Sequence, residues 1–122
     1  MKTSKAPDAI GPYSQAVKKN KMVFLSGQIA IDPKNQQFID GDIETQTKRV
    51  LDNLKAVVEE SGSSLDNVVK TTIFLTDIND FSKVNEIYAS YFSRGKPARS
   101  TVCVAALPKN AKIEIDAIAE VI

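Results

Sequence analysis

Ile113-Glu114-Ile115-Asp116-Ala117-Ile118-Ala119-Glu120-Val121 alternates with a period of two. Ile113, Ile115, Ala117, Ala119 and Val121 share one side, and Glu114, Asp116, Ile118 and Glu120 share the other, because successive side chains of a strand point to opposite faces of a sheet. The pattern predicts a strand with one face on a core and one face of mixed character. Arg99 to Ala105 reads as the strand before it, joined through Leu107-Pro108-Lys109-Asn110. Further upstream, Val68 to Leu75 is rich in β-branched residues, with Val69, Thr71, Ile73 and Leu75 alternating with Lys70 and Thr72, which predicts a third strand.

Between these strands the period changes. From about Asn79, Phe81, Val84, Tyr88, Tyr91 and Phe92 recur at helical spacing, and Gly95 and Pro97 end the run. An earlier helix starts after Asp42, a suitable N-cap, and buries Ile43, Val50, Leu51, Leu54, Val57 and Val58 before Gly62, which suits a left-handed C-terminal cap. Asp32-Pro33 to Gly41 reads as a loop. Met22 to Ser26 reads as a strand buried on both faces and ended by Gly27, and Ser14 to Lys18 as a weaker strand, with a turn at Lys19-Asn20 making a hairpin. The order is ββαβαββ, an α+β domain spanning 1–122 with a mixed sheet and two helices on one face.

Two helices of this length cover one face of such a sheet, so the other face needs a partner. We expect Glu114, Asp116, Ile118 and Glu120, together with the set Arg99, Thr101 and Cys103, to face away from the helices, toward an interface or a site between subunits.

The composition narrows the chemistry. With 122 residues, 43% of them hydrophobic and 25% charged, the chain is sized and balanced for one folded domain. Sixteen basic residues against fifteen acidic ones leave a formal charge of +1, too little for a global field that recruits polyanions or anionic membranes. No apolar run has the length of a signal segment or a membrane span, and cytoplasm is the expected location. Cys103 is the only cysteine and there is no histidine, which removes Ser-His and Cys-His nucleophile pairs and zinc sites built on those residues. Cys103 itself reads as a small packed residue. The available chemistry rests on Arg, Lys, carboxylates, hydroxyls, backbone groups and water.

Ala6-Pro7-Asp8-Ala9-Ile10-Gly11-Pro12-Tyr13-Ser14-Gln15-Ala16, Ser26-Gly27-Gln28-Ile29, Asn53-Leu54-Lys55-Ala56, Lys70-Thr71-Thr72-Ile73-Phe74-Leu75, Pro97-Ala98-Arg99-Ser100 and Lys112-Ile113-Glu114-Ile115-Asp116-Ala117-Ile118-Ala119 follow one another along nearly the whole chain. In that order and spacing they resemble the RidA (YjgF) family, also labelled the endoribonuclease L-PSP family. The resemblance implies a chorismate-mutase-like α+β fold, assembled as a homotrimer with three clefts between neighbouring subunits. It also implies a hydrolase that needs no cofactor or metal. Its substrates are the reactive enamines and imines that pyridoxal-phosphate dehydratases release: 2-aminoacrylate, 2-iminopropanoate and 2-iminobutanoate.

Carried over by position, the resemblance makes Arg99 the anchor of the substrate carboxylate and Glu114 the residue that positions water. It places Tyr13, Ser26, Gly27 and Asn85 around the substrate. Some members have a cysteine two residues after the arginine; here Thr101 stands at that place, and its expected contact with substrate is through the backbone. Such chemistry is physically reasonable for these residue types, since a guanidinium fork offers parallel charge-assisted hydrogen bonds to a carboxylate and a glutamate can act as general base.

Two other functions compete with this one. Family members are also described as endoribonucleases or translation inhibitors, and Lys18, Lys19 and Lys21 form a basic cluster; yet the chain has no Trp, and its Tyr and Phe mostly fall in core stripes, so a stacking platform for single-stranded RNA is lacking. A non-catalytic sensor of small acids would use Arg99 for binding alone.

Overall fold

The alternation at Ile113–Glu120 (β7) puts this strand at the middle of a five-stranded sheet. The computed structural model describes residues 2–121. The other strands are β1 (Ala16–Lys19), β2 (Met22–Gln28), β5 (Val68–Leu75) and β6 (Ala98–Cys103), in the order β1-β2-β7-β5-β6. All neighbours run antiparallel except β5 and β6, which are parallel, and the crossover between those two carries the second helix, as parallel neighbours require. The predicted order ββαβαββ therefore holds for the main sheet. The expected loop from Asp32 to Gly41 contains a small hairpin of β3 (Ile31–Asp32) and β4 (Gln37–Phe38), turned by Gln36 with φ 60°.

Helices α1 (Ile43–Glu60) and α2 (Phe81–Tyr91) lie on one face. Asp42 caps α1, its Oδ1 accepting from Thr45 N at 2.8 Å, and these hydrogen bonds hold its carboxyl below the ordinary range. Gly62, with φ +88°, occupies the left-handed position predicted after the helix. Val50, Leu51, Leu54, Val57 and Val58 of α1 and Val84, Ile87 and Tyr88 of α2 pack on Val23, Leu25, Ile73, Leu75, Ile113 and Ile115 of the sheet, all buried. In β5 the alternation slips at a bulge between Val68 and Lys70, so Val68 is buried and Val69, expected inside, is exposed.

The opposite face carries no helix. Val17, Phe24 and Ile118 form a cross-strand apolar row there, with Phe74 and Val102 nearby. Among these, Val17 is 54% exposed, Phe24 46% and Val102 42%. Glu114 and Asp116 share this face, as expected. The set Arg99, Thr101 and Cys103 does not. Parallel pairing sets Arg99 opposite Thr71, Thr101 opposite Ile73 and Cys103 opposite Leu75, and those partners point into the core. These three residues therefore face the helix side, while Ser100 and Val102 lie on the open face; Cys103, expected to be packed, is exposed at the end of the edge strand. The expectation failed because β6 is an edge strand, where apolar Val102 sits outside the chain's own core and the usual sign of the alternation is lost.

Buried amides fasten the loops to this frame. Asn53 of α1 is fully buried; its Nδ2 donates to the carbonyls of Ile31 at 3.0 Å and Ile29 at 3.3 Å, and its Oδ1 accepts from Arg49 Nε at 3.1 Å. The loop after β2 thus hangs on one side chain. Asn53→Ala removes the amide donor from two part-buried carbonyls and the acceptor of Arg49 Nε and is expected to cost about 1–3 kcal/mol, read as a lowered urea midpoint; a loss under about 0.5 kcal/mol would show that water replaces the amide.

Candidate active site

Glu114 emerges from the middle of the sheet on its open face and lines a cavity of about 570 Å³ with Tyr13, Ser26, Gly27, Gln28 and Lys109. Burial, and after it the charge of Asp116 two residues along the strand, push the Glu114 carboxyl above its ordinary range. A carboxyl so placed is a stronger base than an exposed one. Gly27 makes room for it: a Cβ there would lie 2.9 Å from Glu114 Cδ and closer still to Oε2. The glycine is required by this close approach rather than by an unusual backbone angle.

The wall opposite is the segment from Pro7 to Tyr13, and its anchor is Gln15. This buried side chain accepts from Thr3 N at 2.7 Å and donates to the carbonyls of Pro7 at 2.7 Å and Thr3 at 3.1 Å. Gly11, at φ +119°, then turns the chain so that Tyr13 N donates to Gly11 O at 2.9 Å and the ring of Tyr13 stands 55% exposed at the cavity. Ser26 donates its hydroxyl to Ser14 O, tying β2 to the segment that leads into β1, and lines the space. At the rim, Lys109 and Asn110 both hold left-handed backbone, φ 61° and 57°, conformations that non-glycine residues rarely adopt in succession.

Arg99 lies elsewhere. Its Nη1 donates to Asn85 Oδ1 at 2.7 Å, and with Asn85, Tyr88, Phe92, Lys96 and Pro97 it lines a second cavity of about 610 Å³ against α2. The guanidinium carbon sits 4.9 Å from the centroid of the Tyr88 ring and 5.5 Å from that of Phe81. Phe81, Asn85 and Tyr88 fall at i, i+4 and i+7, one face of α2, which is why all three meet the same side chain. Thr101 follows Arg99 on the same face of β6 but lines neither cavity; its Oγ1 is buried without a hydrogen-bond partner.

The residues singled out in the sequence therefore assemble as two groups. Tyr13, Ser26, Gly27 and Glu114 meet in one cavity and Asn85 and Arg99 in another, on opposite faces of the sheet. The sequence reading missed Gln15, Lys109, Phe81 and Tyr88; the last two carry a usable signal in their spacing with Asn85 but were assigned to the core stripe. A third hollow, between Lys2–Lys5 and Asp52, Lys55 and Glu59 of α1, contains none of these residues. Among the described residues no group of three His, Cys, Asp or Glu side chains converges as metal ligands, and no helix is long and apolar enough to cross a membrane.

The contact between Gly27 and Glu114 can be isolated by a double-mutant cycle. Gly27→Ala is expected to destabilise the chain by about 1–3 kcal/mol through overpacking, and in a Glu114→Ala background the same change should cost almost nothing. Equal costs in the two backgrounds, measured by denaturant unfolding, would show that the Cβ collides with something else.

The chain matches the endoribonuclease L-PSP family model over residues 3–121. It is 55% identical to a RutC family protein of Pyrococcus abyssi, covering 96% of this chain and 92% of that protein. To the human protein named 2-iminobutanoate/2-iminopropanoate deaminase it is 50% identical, over 96% of this chain and 85% of the other. Its fold superposes on the crystal structure of YyfA, of the conserved Rid protein family, from Yersinia pestis, with a TM-score of 0.96 at 53% identity, covering 98% and 96% of the two chains. A match of this extent, on a fold shared throughout, places the chain in the endoribonuclease L-PSP family, that of the Rid and RutC proteins.

Proposed function

We propose that this protein hydrolyses small 2-imino acids, such as 2-iminopropanoate and 2-iminobutanoate and their enamine forms, to 2-oxo acids and ammonia. The reaction takes place where the Arg99 cavity of one protomer meets the Glu114 cavity of a neighbour in a homotrimer. The observation that carries this reading is the division of the site. A cation suited to a carboxylate and a base suited to water occupy opposite faces of one sheet, so a single chain cannot bring both to one small molecule. The unpartnered row of Val17, Phe24 and Ile118, on the same face of the sheet as Glu114, supplies a surface for the second copy. Roughly half-identical relatives named as imine deaminases support the chemistry.

In this scheme the free N–H groups of Arg99 hold the substrate carboxylate, Asn85 steadies the guanidinium, and the Thr101 backbone adds a donor beside them. Glu114 accepts a proton from water as its oxygen adds to the C=N carbon. That proton passes to the imine nitrogen to give the neutral carbinolamine; the proton of the new hydroxyl then follows it to nitrogen by way of Glu114, the C–N bond breaks, and ammonia leaves as the C–OH becomes the carbonyl of the 2-oxo acid. Tyr13, Ser26 and Gly27 shape the pocket. Neither a metal nor an organic cofactor has a step in the scheme, since the imine is already electrophilic and a positioned base suffices, at about 10²–10⁴-fold. Pyridoxal-phosphate dehydratases, which release such imines, are the functional partners, and the cytoplasm is the proposed location, where the unpaired, exposed Cys103 is at home.

A coupled assay tests it: a dehydratase generates the imine, and release of ammonia is timed with and without this protein. Arg99→Lys should lower kcat/KM at least about 100-fold through misplacement of the anion while the fold persists. The Glu114 carboxyl must be ionised to accept a proton, and its pKa is raised, so kcat should fall as the pH drops through a value above the ordinary glutamate range. In Glu114→Gln that acidic limb should vanish along with most of the rate. Full activity in Arg99→Lys, or a stable monomer in sedimentation at micromolar concentration, would sink the proposal; single-stranded RNA cleaved without imine turnover would favour the ribonuclease reading.

A further inference from the structure

Arg99 and Thr71 are directly opposed across the parallel pair β5 and β6, and Tyr88 reaches both. Its hydroxyl is 2.7 Å from Thr71 Oγ1 in a buried hydrogen bond, and its ring lies under the guanidinium, 4.9 Å from centroid to carbon. The ring is further clamped by Phe92, 4.6 Å away between centroids. Phe81, one helical turn before Asn85, offers a second ring at 5.5 Å.

We propose that Tyr88 and Phe81 are positioning residues for Arg99, and that Thr71 sets the angle of the Tyr88 ring. The proposal rests on the reading of Arg99 as a carboxylate anchor. Attraction between a cation and a ring face consumes no N–H donor, whereas every hydrogen bond to the protein takes one of the five that a guanidinium has. Here Asn85 takes one corner at 2.7 Å and the rings supply the remaining hold, so the fork keeps its other donors for a ligand. An exposed arginine loses rotamer freedom when it binds an anion; one already laid on two rings has less to lose, and affinity rises accordingly. Thr71 is fully buried, and a threonine hydroxyl is costly in a core unless paired. Its pairing with Tyr88 turns that cost into a fixed orientation for the ring.

The test is the binding of 2-oxobutanoate, a small 2-oxo acid that does not turn over, to the purified oligomer by calorimetry, with KM and kcat for the imine measured alongside. Tyr88→Leu should weaken Kd about tenfold and raise KM more than it lowers kcat. Tyr88→Phe, which keeps the ring and loses its anchor on Thr71, should recover part of that loss. Phe81→Leu, at the margin of the core, should weaken Kd about threefold and serves if Tyr88→Leu does not fold. Val84→Ala removes buried volume from the same helix without touching Arg99, and it should lower thermal stability while leaving Kd unchanged. The Arg99 Nε–H resonance should move upfield under the rings in the wild-type protein and lose that shift in Tyr88→Leu.

A Kd that follows stability equally through Val84→Ala and Tyr88→Leu overturns the proposal, as does wild-type affinity in both Tyr88→Leu and Phe81→Leu. If the wild-type protein binds no 2-oxobutanoate, the anchor and its positioning fail together. If it binds at Arg99 and hydrolyses no imine, the deaminase reading fails alone.

Discussion

The pairing of β6 with β5 governs the rest. Once Arg99 stands opposite Thr71 in a parallel register, its side chain must rise on the helix side, because paired residues share a face. Only there can it meet Phe81, Asn85 and Tyr88, which α2 presents at one-turn intervals. Glu114, on β7 two strands away and out of phase, must then emerge on the opposite face, beside Phe74. A slip of one residue in either ladder would reverse a side chain and join cation and carboxylate on one face, and a slip of β6 would also leave the guanidinium without its rings. The division of the site is thus a consequence of strand register.

The elements were legible where one face is buried by the chain itself. Ile113 to Glu120 reads correctly because its apolar side is covered by helices and its other side is polar at three of four places; α1 reads correctly because its stripe is continuous and both caps are local. Legibility failed where packing comes from outside the stretch being read. In β6, Val102 is apolar yet lies on the open face, so hydrophobicity there does not mark the chain's own core. At Val69 a bulge, invisible to a period-two count, moved the inward position by one residue.

Site residues show the same boundary. Arg99, Asn85 and Glu114 are candidates through the family resemblance, and their distribution over two faces is not readable from the sequence, since it depends on the registers of strands distant in sequence. The supporting residues were harder still. Gln15 looks like an ordinary strand-edge amide until three backbone groups of the segment before it converge on its side chain, and Tyr88 looks like core until its hydroxyl and ring are seen to serve different partners. A side chain with two functions carries only one of them in its hydropathy.

In the proposed assembly the two halves would complement each other electrostatically. Burial and Asp116 raise the Glu114 carboxyl in an isolated chain, which favours its protonated form. In the proposed cleft a neighbour's guanidinium opposes that shift, keeping the carboxyl ionised while the cleft is empty. A bound carboxylate cancels the guanidinium's charge, and the glutamate regains its raised pKa at the stage when a water proton must be accepted. With the charges on opposite faces of each protomer, that proposed assembly is the arrangement in which they meet, and the anion it is proposed to bind is what would loosen their hold on each other.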